Sequence, residues 1–152
     1  MVRFILIYLQ FFTILTGAFC LSAKTIPLEA PIQAFRLPIF GDQGYKSWDI
    51  EGKEACFSGD SQSMVVQGMR LRIYSGGDPL ILEATLESPQ AHLFPKNRRA
   101  EGNEYVFLTT RNYNVVGYGW SWEELSHAGA DMHYKVILKS DVKITFKSDL
   151  AF

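Results

Sequence analysis

The chain has 152 residues, 47% of them hydrophobic and 20% charged, with a formal net charge of −1. That is long and apolar enough for one domain with a real core. The near-neutral charge gives no electrostatic argument for nucleic acid as a partner, which normally requires a basic face, and two cysteines do not make a disulfide framework.

Residues 1–23 read as a targeting segment. Arg3 supplies a small positive start, and the run from Phe4 to Ala23 carries no charge, as in a secretory signal that ends at Cys20 or Ala23. The same run is just long enough to span a bilayer as an apolar helix, which takes roughly 20 residues, with Arg3 on the cytoplasmic side. Signal and anchor both stay open, with the balance toward an anchor; either way the rest of the chain is exported. Loss of the segment would remove Cys20 and leave Cys56 as a lone reduced thiol. Residues 24–44 contain Pro27, Pro31 and Pro38 and read as an extended connector. Phe35, Leu37, Ile39 and Phe40 are too apolar for a free linker and predict an edge strand or a lid.

From residue 45 to 152 the chain reads as strand after strand. Tyr45 to Phe57 sets Trp48 and Ile50 against Asp49 and Glu51, with a bulge or bend at Gly52. Met64 to Tyr74 follows, with Leu71 and Ile73 against Arg70 and Arg72. Ser75-Gly76-Gly77-Asp78 makes a tight hairpin. Leu80 to Ser88 places Leu80, Leu82, Ala84 and Leu86 on one face; Gln90 to Phe94 is a shorter run, closed by a basic turn at Pro95 to Arg99. Tyr105, Phe107 and Thr109 open another strand, and Val115 to Trp122 is rich in aromatics and glycine. Then Met132, Tyr134, Val136 and Leu138 alternate with His133, Lys135, Ile137 and Lys139. Beyond Ser140-Asp141, Val142, Ile144 and Phe146 alternate with Lys143, Thr145 and Lys147. Period two over such lengths marks strands with one face covered and one wet. No amphipathic helix of ten residues is visible after the targeting segment, so the pattern predicts an all-β meander, sandwich or open roll.

Catalytic motifs are missing: there is no G-x-S-x-G elbow, P-loop, H-E-x-x-H or C-x-x-C. His127, Asp131 and His133 lie near one bend but lack the tight spacing and further ligand of a zinc site, so neither metal nor cofactor is expected. His92 reads as surface-facing, Asp60-Ser61 as turn chemistry, and Glu123-Glu124 as solvated loop charges rather than paired catalytic carboxylates. Trp48, Trp120 and Trp122 fit a β core. Trp120 and Trp122 also share a parity, the arrangement of a stacking platform for sugars.

The order Gly117-Tyr118-Gly119-Trp120, then a turn, then Ile137-Leu138-Lys139-Ser140-Asp141-Val142-Lys143-Ile144-Thr145-Phe146 resembles the end of the lipopolysaccharide-export family that includes LptC and the related LptA and OstA-like domains. The resemblance extends back to Gly44-Tyr45-Lys46-Ser47-Trp48. It implies an open, taco-like β-jellyroll of antiparallel strands, here preceded by an N-terminal apolar helix. Its trough receives lipid A acyl chains in the periplasm, and the inner membrane holds the anchor, if residues 4–23 are one. Alternation then assigns Trp48, Leu71, Ile73, Leu82, Tyr134, Val136, Leu138, Val142 and Ile144 to the trough. Val142, Lys143, Ile144, Thr145 and Phe146 form the edge where the next module docks. The implied partners are lipopolysaccharide, the subunits of an inner-membrane ABC transporter, and an LptA-like periplasmic protein. The chain is short for a full LptC-type protein. An exported carbohydrate-binding β-sandwich and a small exported hydrolase are the competing readings.

Overall fold

The computed structural model describes residues 30–58, 62–125 and 133–147. The targeting segment lies outside these residues, as do Asp60, His127 and Asp131. Seven antiparallel strands form one open sheet in chain order: β1 (Ile32–Phe40), β2 (Lys46–Phe57), β3 (Met64–Tyr74), β4 (Leu82–Phe94), β5 (Arg99–Thr110), β6 (Tyr113–Leu125) and β7 (His133–Phe146). The expected all-β architecture is therefore present, as an up-and-down meander. The apolar residues of the expected connector form β1, so the sheet begins at Ile32. Leu80 to Ser88 and Gln90 to Phe94 merge into one strand, β4, that runs through Pro89.

Proline lacks an amide donor, and the β4–β5 register shifts between Glu87 and His92. Ser88 fills the gap: its Oγ lies 2.9 Å from the Tyr105 carbonyl and 3.1 Å from that of Gln90, and accepts Trp120 Nε1 at 3.2 Å. Trp120 on β6 thus reaches across β5 to β4. It can do so because Gly102 stands between them. A Cβ there would sit 2.6 Å from Trp120 Nε1 and 2.9 Å from the Gln90 carbonyl oxygen.

The sheet is folded over its own apolar face. Trp48 near the start of β2 meets Trp122 near the end of β6 edge-to-face, with ring centroids 5.1 Å apart. These strands share no ladder, so the two halves of the sheet cross, and the bottom of β6 and β7 lies over β2. Trp48, Ile50, Val66, Leu71, Leu86, Leu93, Trp120 and Trp122 fill the interior between them. Tyr134, Val136 and Leu138 on β7 pack against that core half-buried. Burial raises the Tyr134 hydroxyl pKa, with smaller contributions from Glu83 and Tyr113.

The outer face carries charge in cross-strand rows. Arg36, Glu51, Arg70 and Glu87 stand opposite one another on β1 to β4, alternating in sign as stable cross-strand pairs do. Asp49, expected on the wet face, is instead fully buried beneath its own partners. Arg72 Nε donates to Oδ1 at 2.8 Å; Lys46 Nζ and the Tyr74 hydroxyl donate to Oδ2 at 3.1 and 3.3 Å, and Arg36 is 3.4 Å away. Burial alone would raise the Asp49 pKa. The hydrogen bonds from Arg72 and Lys46 outweigh it and hold the carboxyl below its ordinary value. Long cationic side chains have closed over an acidic residue that strand alternation places outside.

Candidate functional site

One inner-face row crosses all seven strands through directly opposed residues: Leu37, Ile50, Leu71, Leu86, Leu108, Val115 and Ile144. Every member is apolar, so the row is the backbone of the interior. Its cover is uneven. Ile50, Leu71 and Leu86 are fully buried, Leu108 and Val115 nearly so, and Ile144 is 54% exposed. At the β7 end the apolar face therefore opens to solvent.

The opening has a local cause. Asp141 adopts a left-handed φ of 51°, Gly119 a φ of 60° beside it on β6, and the β6–β7 register shifts between Val116 and Tyr118. These bulges kink β7. Before the kink Tyr134, Val136 and Leu138 pack on the core. After it Val142, Ile144 and Phe146 keep the inner parity but have little over them, with Phe146 70% exposed. Tyr113 stacks on Phe146 edge-to-face at 6.4 Å. Leu82 shares the inner parity of Ala84 and is half exposed at the same end of β4. On the opposite face of β7 stand Lys143, Thr145 and Lys147; the Lys147 ammonium reaches the Thr110 carbonyl at 2.5 Å.

The nine residues assigned to the trough thus fall into three groups. Trp48, Leu71 and Ile73 are closed inside the core; Tyr134, Val136 and Leu138 line its half-covered margin; Leu82, Val142 and Ile144 face solvent. The five residues of the expected docking edge all lie on β7, a strand with no ladder partner on its far side among the described residues. Their amides do not all point the same way. Lys147 N donates to Asn112 O at 3.0 Å, and antiparallel ladders alternate. Lys143 and Thr145 therefore turn their amides toward β6, and Val142, Ile144 and Phe146 turn theirs outward. A Thr145 amide offered to a docking partner is thereby excluded.

Trp120 and Trp122 do share a parity, but both are buried, so they present no stacking platform. Glu123 and Glu124 belong to β6, not to a loop. The Glu124 side chain is only 4% exposed: Trp48 Nε1 donates to Oε2 at 2.7 Å and Arg98 to Oε1 at 2.8 Å. His92 and His133 are exposed on their strands. The Cys56 thiol lies 3.8 Å from Glu54 Oε1. Among the described residues no group of three His, Cys, Asp or Glu side chains is placed to hold a metal ion, and no helix is long and apolar enough to cross a membrane.

No protein-family model matches the chain, and no curated protein matches it.

Proposed function

We propose that this chain is a periplasmic lipid-conduit module of the LptC kind. In this reading the folded sheet is a taco-like jellyroll that accepts lipopolysaccharide from an inner-membrane ABC transporter. It then passes the lipid to an LptA-like module, and the chain itself performs no chemistry and needs no cofactor. The observation that carries the reading is the inner row, apolar across every strand and open at Ile144. Solvent-facing apolar residues on one face at one end of a sheet are what a binding surface for apolar cargo requires. The cargo explains the need. Each acyl CH₂ left in water costs about 0.8 kcal/mol, so a chain of about twelve carbons costs roughly 10 kcal/mol, which a continuous apolar path removes.

The outer edge of β7, without a ladder partner among the described residues, suits the second half of the task. Outward amides at Val142, Ile144 and Phe146 offer ladder bonds to an added strand whatever its side chains, while Lys143 and Lys147 discourage indiscriminate pairing. Tritiated lipid A and soluble glycans, each titrated onto the purified chain, test the proposal. It predicts saturable lipid A binding that is lost in Ile144→Asp, without glycan binding. Glycan binding with no lipid A binding would replace it by the carbohydrate-binding reading.

A further inference from the structure

We infer that Trp48, Glu124 and Arg98 form a clasp that holds the two halves of the folded sheet shut, and that acyl chains reach the deep interior only when it parts. This rests on the lipid-conduit reading and supplies its gate. The inner row is open at Ile144 but closed from Val115 through to Ile50, so a chain entering beside Ile144 meets a closed core at the next residue of the row. The seal is where β6 crosses β2. Those strands exchange no backbone hydrogen bonds; what joins them is side chains, 76 residues apart in sequence. Trp48 Nε1 donates to Glu124 at 2.7 Å, and the Trp48 ring meets the edge of Trp122.

Glu124 is held in that place from its own side. Arg98, at the turn between β4 and β5, neutralises its other oxygen at 2.8 Å, and the Glu124 amide donates to the Arg98 carbonyl at 3.0 Å. The carboxylate is thus fixed on its own half of the sheet and extends one strong acceptor toward the other half. The join is also incomplete. Trp122 Nε1 is buried with no partner among the described residues, a donor that closure desolvates without return. Since β1 and β7 are the two edges of the sheet among the described residues, the halves can part without breaking a ladder bond between those strands. Opening exposes Trp48, Leu71 and Ile73, the residues that alternation assigns to cargo.

The test uses the full chain with Glu124→Gln and with Trp48→Phe, which keeps one aromatic ring but removes the N–H together with the five-membered half of the indole. Far-UV circular dichroism establishes that each variant keeps its sheet. Acrylamide quenching of tryptophan fluorescence reads the clasp without lipid, and lipid A titration reads admission. Loss of a charge-assisted hydrogen bond should shift the closed-to-open ratio about tenfold, and apparent affinity follows the open fraction. The expected result is stronger quenching in Glu124→Gln and about tenfold tighter lipid A binding in both variants. Unchanged quenching and affinity, beside lipid A binding by the unaltered chain, would overturn the clasp alone. Weaker lipid A binding in both would also overturn it, since these groups would then hold cargo. Lipid A binding by no form of the chain would remove the inference together with the reading beneath it.

Discussion

Replacing Asp49 by Asn is the perturbation whose size and pH dependence the structure defines most fully. The carboxylate has no exposed surface and faces Arg72, Lys46 and Arg36 at 2.8, 3.1 and 3.4 Å. Breaking a buried ion pair from one side costs about 3–5 kcal/mol when the remaining charge is trapped. Here the remaining charges are not trapped: the Arg72, Lys46 and Arg36 side chains are 24%, 22% and 55% exposed and can turn to water. Asn also keeps one acceptor oxygen. Discounting for both leaves about 2 kcal/mol, or about 4–8 °C in Tm for a chain of this size. The pH dependence has a definite sign. The folded carboxyl titrates below its ordinary value of 3.8, so its contribution is complete above that value. It fades as the pH drops below 3.8 and is gone once the pH passes the folded value. Thermal melts of both proteins from pH 7 downward should show a gap that closes in acid. Equal Tm values at pH 7, or a gap that persists unchanged far below 3.8, would show that the Asp49 carboxylate does not stabilise the fold through its charge.

Gly102→Ala should destabilise the chain by about 1–3 kcal/mol, since its Cβ meets Trp120 Nε1 at 2.6 Å and backbone at 2.9 Å; a chemical denaturation midpoint equal to that of the unaltered chain would contradict the close passage of Trp120 over Gly102. Phe146→Pro removes an outward amide and should leave the sheet intact while abolishing pull-down of an LptA-like partner, whereas Thr145→Pro removes an inward ladder donor and should lower Tm by several degrees. Full partner binding by a folded Phe146→Pro would move docking off the end of β7.

The alternation of single strands was legible because it depends on residues one and two apart. Met64 to Tyr74 is a strand at those same residues, and β7 shows the two expected apolar runs on either side of Ser140-Asp141. Contacts across the folded sheet leave no such spacing. Nothing near Glu124 announces that Trp48 will donate to it, so a buried, ion-paired acceptor read as a loop charge. Asp49 obeys alternation and points outward, yet Arg72 and Lys46 reach it from neighbouring positions and cover it. For the same reason parity gave Trp48, Leu71 and Ile144 a common face without separating the closed interior from the open end. The difference arises from the kink at Asp141, a left-handed φ that no residue type there required.

Site-specific photo-crosslinking discriminates a one-sided apolar path that opens at β7 from a surface that meets lipid on both faces. A photoreactive amino acid placed at Ile144, on the inner parity, and another at Lys143, on the outer, differ by one residue and by the whole thickness of the sheet. In cells exporting lipopolysaccharide, Ile144 should give a lipopolysaccharide adduct and Lys143 none. Equal adducts from both positions, or an adduct from Lys143 alone, would contradict it.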